Sequence, residues 1–289
     1  MCHPDCMKTI EETMKRSMSR RGFIGTSLAA TCAAGLGNIA TVDSLAAAET
    51  NSKVKTRPPV SFTRVVDLTH LLFEGFPTYD GAKWFTKEPV FSYAQDKMNI
   101  NRWSVVEHTG THMDAPLHFS ADGLSIDEIP ISDLVVPLVV IDISERAQTD
   151  PDATVTPDDI HLWEKQYGDL PMGCCVVMNS GWHRLSKSPR FTGKDSEGKY
   201  HTPGFALETA QMLIHERFVK GIGVDTLSLD TGISTGTFPV HNLWLPSGRW
   251  GIEALAHLDE VPAYGAHLVV GGPKVEGATG GPSRIMALV

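Results

Sequence analysis

Cysteine is scarce in this chain. There are five in 289 residues, and three of them, Cys2, Cys6 and Cys32, fall in the first 32 positions. Downstream only the adjacent pair Cys174-Cys175 remains, and neighbours in sequence rarely form a stabilising bridge, so no disulfide framework supports the fold. Positive charge is also in deficit. A net charge of −9 and a pI near 5.7 argue against nucleic acid or an anionic membrane as partner. The Gly-rich segment before the final strand has no Gly-Lys-Ser/Thr, so it is not a phosphate cradle. No internal repeat is evident, and no low-complexity tract lies beyond the first 48 residues.

Those first 48 residues read as an export leader rather than part of the folded domain. Lys8, Lys15, Arg16, Arg20 and Arg21 form a basic region, and Ser19-Arg20-Arg21-Gly22-Phe23-Ile24-Gly25 is a twin-arginine signature. A weakly apolar run continues to Leu45, and Ala46-Ala47-Ala48 offers a cleavage site. Asn38, Asp43 and many small residues make that run a poor permanent membrane span. The expectation is cleavage and export to the periplasm or beyond, with residues 49–60 as a linker and residues 61–289 as one domain. About 240 residues suffice for a sizeable core.

Within that domain, apolar runs at Pro137 to Ile143 and Cys174 to Met178 predict strands covered on both faces. Further strands are expected at Phe62 to Leu68, Asn101 to Glu107, Gly223 to Leu227, His267 to Val270 and Arg284 to Val289. Thr156 followed by Pro157 marks a helix start, with the stop near Gly168. A second helix is expected from Leu207 to Val219, with Leu207, Ala210, Leu213, Ile214 and Phe218 on its buried face and with Gly221 and Gly223 ending it. Strands alternating with helices indicate an α/β domain with a mixed sheet.

The stretch His108-Thr-Gly-Thr-His112-Met-Asp114-Ala-Pro116-Leu-His118-Phe119 carries the chemistry. With 12 His among 289 residues, three specified positions are all His about once in 14,000 times, or about two per cent over the chain. Imidazole nitrogen and carboxylate oxygen together suit zinc, manganese or ferrous iron. Gly110 and Pro116 argue against a helix, so the expected form is a ligand-bearing loop after a strand. Tyr79, on the turn-rich segment Gly75 to Gly81, is a candidate to wall a small-molecule pocket. Spacing alone does not choose further ligands among the other histidines. His241, in a predicted loop, and Glu253 are two candidates.

The motif H-T-G-T-H-x-D-x-P-x-H resembles the defining signature of the cyclase family of metal-dependent hydrolases, which includes bacterial kynurenine formamidase and isatin hydrolase. Asp67-Leu68-Thr69, Ser180-Gly181-Trp182 and Gly223-Val224-Asp225-Thr226-x-Ser228-x-Asp230 are similar to further family segments. So is the twelve-residue spacing of His241 and Glu253. The resemblance implies a compact β/β/α sandwich, commonly a homodimer or homotetramer. It implies one or two divalent ions, Zn2+ first and Mn2+ next. His108, His112 and Asp114 would bind one ion, and Asp114, His241 and Glu253 a second, with Asp114 and Glu253 bridging. His118 would move protons. Tyr79 stands where formamidases have a pocket-lining tryptophan. The implied activity is hydrolysis of an aryl formamide or cyclic amide, the substrate being a small-molecule amide or lactam. A lactone substrate or an exported metal-binding protein without catalysis are the alternatives. A nucleophilic hydrolase ranks third, because no G-x-S-x-G elbow is expected and the vicinal cysteines lie in a predicted buried strand.

Overall fold

A computed structural model describes residues 60–289. The expected leader, residues 1–48, and nearly all of the linker lie outside the described residues. Among the described residues no helix is long and apolar enough to cross a membrane.

Four parallel strands form the centre: β5 (Val135–Asp142), β7 (Cys175–Asn179), β9 (Gly221–Val224) and β10 (Trp250–Glu253). Antiparallel strands flank them. On one side lie β11 (His267–Gly271), β13 (Arg284–Leu288) and β1 (Val65–Asp67). On the other lie β4 (His112–Asp114) and β12 (Gly280–Pro282). Only Ser283 separates β12 from β13, although these strands sit near opposite ends of the nine-stranded order. The sheet therefore curls until its ends meet. Leu68 and Thr69 complete the seam: Ala256 N donates to Leu68 O at 2.9 Å, and Thr69 bridges Leu255.

Side-chain alternation along the central strands builds two cores. Leu138, Val140, Cys175 and Val177 point into the curl, where they meet Val66, Met113, Ile252, Leu268 and Ile285. Val139, Ile141, Val176 and Met178 point outward against the helices. The helices are α1 (Tyr93–Asp96), α2 (Ser144–Thr149), α3 (Pro157–Tyr167), α4 (Leu207–His215) and α5 (Pro239–Trp244). Ile160, Trp163, Leu213 and Trp244, from α3, α4 and α5, cover the outer face. Each fully buried side chain of this kind is worth roughly 1.5–3 kcal/mol. The result is the expected β/β/α arrangement with a mixed sheet. Two small pairs stand apart from the main sheet. One is β2 (Phe85–Phe91) with β3 (Ile100–Val105), and the other is β6 (Thr154–Val155) with β8 (Gly204–Phe205).

The predicted start of α3 is observed, with Thr156 and Asp159 forming a capping box. The end of α4 differs from expectation. The helix stops at His215, and Phe218 is exposed with φ 54°. Val219 must reach the core, and Lys220 N bonds to Cys174 O at 2.9 Å, so the chain leaves the helix early to join β7. Gly221 is not a helix breaker but a strand residue, because a Cβ there would lie 2.1 Å from the Trp250 ring. The histidine motif also departs from the loop expected. His112–Asp114 is a sheet strand, and Pro116–Phe119 is a 3-10 turn. Its strand character comes from two distant partners, β10 and β12, rather than from local propensity.

Gly221→Ala should destabilise the fold by about 1–3 kcal/mol through overpacking against Trp250. Chemical denaturation measured beside the parent protein checks this; an unchanged midpoint would mean that the ring moves aside freely.

Candidate metal centre

Register places the candidate ligands. In the β4–β10 pair Gly251 faces Asp114 and Glu253 faces His112, so both carboxylates and the imidazole emerge on neighbouring strands. A Cβ at Gly251 would come within 3.2 Å of Asp114 Oδ2, so this position keeps the carboxylate's space open. His241 arrives on α5, not in the loop expected. Asp230 holds the start of that helix by accepting from Val240 N at 2.7 Å and His241 N at 3.1 Å. His118 lies in the turn after β4 and stacks on His108, with ring centroids 3.7 Å apart.

The structure thus gathers His108, His112, Asp114, His118, His241 and Glu253. His108 Nδ1 is 2.7 Å from Asp114 Oδ1, and His112 Nε2 lies 3.3 Å from that oxygen and 3.4 Å from Glu253 Oε2. His241 Nε2 is 3.0 Å from Glu253 Oε1 and 3.8 Å from Asp114 Oδ2. Two groups have metal-ligand proximity: His108, Asp114 and His118, and His112, Asp114 and Glu253. Asp114 is common to both. This grouping sets His118 beside His108 rather than apart from the ligands, while His241 closes on the second group through Glu253.

Tautomers follow from the outer contacts. The carbonyl of Gly110 can only accept, so the 2.9 Å contact puts a hydrogen on His112 Nδ1. The Asp230 carboxylate, 2.6 Å from His241 Nδ1, does the same there. Both Nε2 lone pairs therefore face Asp114 and Glu253, which are themselves acceptors. His112 Nε2 and Asp114 Oδ2 are buried without any hydrogen-bond partner. Acceptors crowded against acceptors in a buried space need cations between them. Burial opposes charging of His112, yet the nearby carboxylates of Asp114 and Glu253 raise it to about 10. His241 is likewise opposed by burial and raised to about 10 by Asp230 and Glu253. The donor set of imidazole nitrogen and carboxylate oxygen fits a metal ion.

His118 behaves in the opposite way. Burial lowers it to about 4, Asp114 partly offsetting while His108 and His241 push further down, so the ring is neutral at neutral pH. Aromatic rings surround this corner: Phe119 lies 4.8 Å from His241, and Phe238 lies 5.8 Å from it. Tyr79 joins them through Phe238 at 5.9 Å, stacks on Tyr200 at 5.1 Å, and lines a cleft of about 580 Å³.

Sequence reasoning assigned no role to Asp230, nor to Leu229 N, which donates to Glu253 Oε1 at 3.0 Å. Asp230 closes the Gly223–Asp230 signature segment, and that was its only signal. Asp225 of the same segment is structural. It accepts from Ser180 Oγ at 2.5 Å and Trp182 N at 2.9 Å, tying the Ser180-Gly181-Trp182 turn to the end of β9. Gly232-Ile233-Ser234-Thr235-Gly236 spells G-x-S-x-G, but it forms a 3-10 turn rather than a strand-to-helix elbow. The Ser234 hydroxyl pairs with Thr231 at 3.0 Å.

Comparison with known proteins bears on the same region. The family described as Putative cyclase matches residues 66–231. The chain is similar to an isatin hydrolase of Roseibium aggregatum, 36% identical over 197 residues, covering 65% of this chain and 74% of that relative. It is also similar to a kynurenine formamidase of Salinibacter ruber, 27% identical over 190 residues, covering 66% and 80%. Among solved structures, isatin hydrolase A from Labrenzia aggregata bound to benzyl benzoate superposes with a TM-score of 0.74 at 34% identity. That match covers 78% of this chain and 93% of the other. The family match starts in β1, passes through the histidine motif and ends beside Asp230, and on that span this chain belongs to the cyclase family.

Proposed function

We propose that this protein hydrolyses the C–N bond of an aryl lactam of the isatin type, using one or two divalent cations, Zn2+ before Mn2+. The observation that carries this is the convergence of imidazole lone pairs and two carboxylates on one buried space. His108, His112, Asp114, His241 and Glu253 would hold the cations, with Asp114 shared. A divalent cation held there would lower the pKa of a bound water to about 7 and polarise a carbonyl oxygen. Neutral His118 accepts the proton released as water attacks, then returns it to the departing amide nitrogen, a poor leaving group until protonated. Phe119, Phe238 and Tyr79 supply flat apolar surface that suits an aryl ring and excludes water.

The names of the relatives support a cyclic amide first and an aryl formamide second. Assay of metal-loaded protein against isatin-type lactams, formanilides and lactones separates the readings. Ring opening without release of formate supports the lactam. Formate release supports the formamide, and turnover of lactones alone would overturn both. The twin-arginine signature at Ser19 to Gly25 supports export through that pathway.

A homodimer or homotetramer is part of the same proposal. The β2–β3 ribbon buries only Phe85, and Trp103 on it is 68% exposed. A two-stranded ribbon alone is marginal in water. Leu71, Phe73 and Trp103 border a cleft of about 1410 Å³ that a second copy would cover.

His118→Ala should reduce kcat about 10²–10⁴-fold while metal content, measured by elemental analysis, stays at the parent level. Loss of metal instead would make His118 a ligand. His241→Ala should lower the bound metal per chain, and chelation of the parent protein should abolish turnover until Zn2+ or Mn2+ is restored. Trp103→Asp should shift the mass seen by light scattering toward the monomer.

A further inference from the structure

His108 is the one ligand candidate whose outer nitrogen faces neither a carbonyl nor a carboxylate. Its Nε2 lies 3.0 Å from the hydroxyl of Thr279, the residue immediately before β12. That hydroxyl donates its own hydrogen to Glu107 Oε2, in a short contact. The same carboxylate oxygen accepts from Thr279 N at 3.2 Å. With its hydrogen committed to Glu107, Thr279 Oγ1 can only accept from the imidazole. A hydrogen on His108 Nε2 therefore answers Thr279, while Nδ1 faces Asp114 Oδ1 2.7 Å away, close enough that a proton or a cation must lie between the two.

We propose that Glu107 and Thr279 are positioning residues that act on the cation site through His108. They form a carboxylate–hydroxyl–imidazole chain that sets the tautomer of His108 and strengthens its Nδ1 as a donor to the cation. The inference rests on the metal-site reading above. It adds a role for a glutamate that sits one position ahead of the histidine motif and for a threonine 171 residues beyond His108. Gly280, next to Thr279, supports the same geometry: a Cβ there would come within 2.8 Å of His108 Cε1 and push the ring off its partner. Glu107 reaches the cation only through two other side chains, so it touches no reacting atom. Outer partners of ligand histidines typically change metal affinity by about 10–100-fold when lost.

Three substitutions test the chain. Thr279→Val removes the hydroxyl but keeps the shape and the backbone N–H that Glu107 holds. Thr279→Ser keeps the hydroxyl, and Glu107→Gln keeps an acceptor but no longer commits the Thr279 hydrogen. Affinity for Zn2+ and for Mn2+ is read by competition with a chromophoric chelator. The His108 tautomer is read in the metal-free protein from its ring 15N shifts, and thermal unfolding is followed in parallel. The expected result is a fall of about 10–100-fold for Thr279→Val, a smaller fall for Glu107→Gln, and parent affinity for Thr279→Ser. His108 should lose the hydrogen on Nε2 in Thr279→Val at unchanged melting temperature.

Parent affinity in Thr279→Val, or an equal loss in Thr279→Ser, would overturn the proposal. If the parent protein itself binds neither metal, the metal-site reading fails. The ring 15N shifts then decide this proposal alone, and a His108 tautomer unaltered by Thr279→Val rejects it.

Discussion

Acceptors facing acceptors organise this molecule. The outer nitrogens of His112 and His241 carry hydrogens because Gly110 O and Asp230 leave no alternative. Their inner nitrogens, together with Asp114 and Glu253, therefore present only electron pairs to a space from which water is largely removed. Such an arrangement is costly unless positive charge enters it. The raised proton affinity of His112 and His241 and the unpartnered Asp114 Oδ2 are signs of one unmet demand. A buried imidazole with no carboxylate hydrogen-bonded to it follows the opposite rule, as His118 does a few ångströms away.

The rest of the fold keeps those groups from relaxing apart. Asp114 and Glu253 sit on adjacent strands whose ladder fixes their offset, with Gly251 leaving the carboxylate its space. A turn held by Asp230 fixes α5, and the same side chain orients His241. Phe238 enters this turn with φ 44°, a conformation an aromatic residue rarely adopts. Asn242 holds it there by donating from Nδ2 to Phe238 O at 2.9 Å. Backbone strain at that point accompanies the placement of an aromatic ring between Tyr79 and His241.

Much of this was legible in the chain, for identifiable reasons. The central strands announce themselves because burial on both faces leaves an unbroken apolar run, as at Val139 to Ile141. The start of α3 is visible because Thr156, Pro157 and Asp159 are local signals. The His108–His118 motif is dense enough to stand out by frequency alone. What escaped depends on contacts distant in sequence. β4 and β12 have no strand signature of their own and exist because β4 pairs with both β12 and β10. Gly221 looked like a helix stop because Trp250, whose ring it must avoid, lies far along the chain. Spacing alone left His241 and Glu253 open; the resemblance singled them out, and only the fold sets them against Asp114.

The seam of the curled sheet has a consequence for how this protein is made. Thr63 and Val289, hydrogen-bonded to one another, are 226 residues apart, and β13 threads between β1 and β11. Until residues 284–288 have left the ribosome, β1 has no neighbour and the inner core is open along one side. Removing residues 284–288 would therefore leave β1 without its ladder partner and unseal the interior.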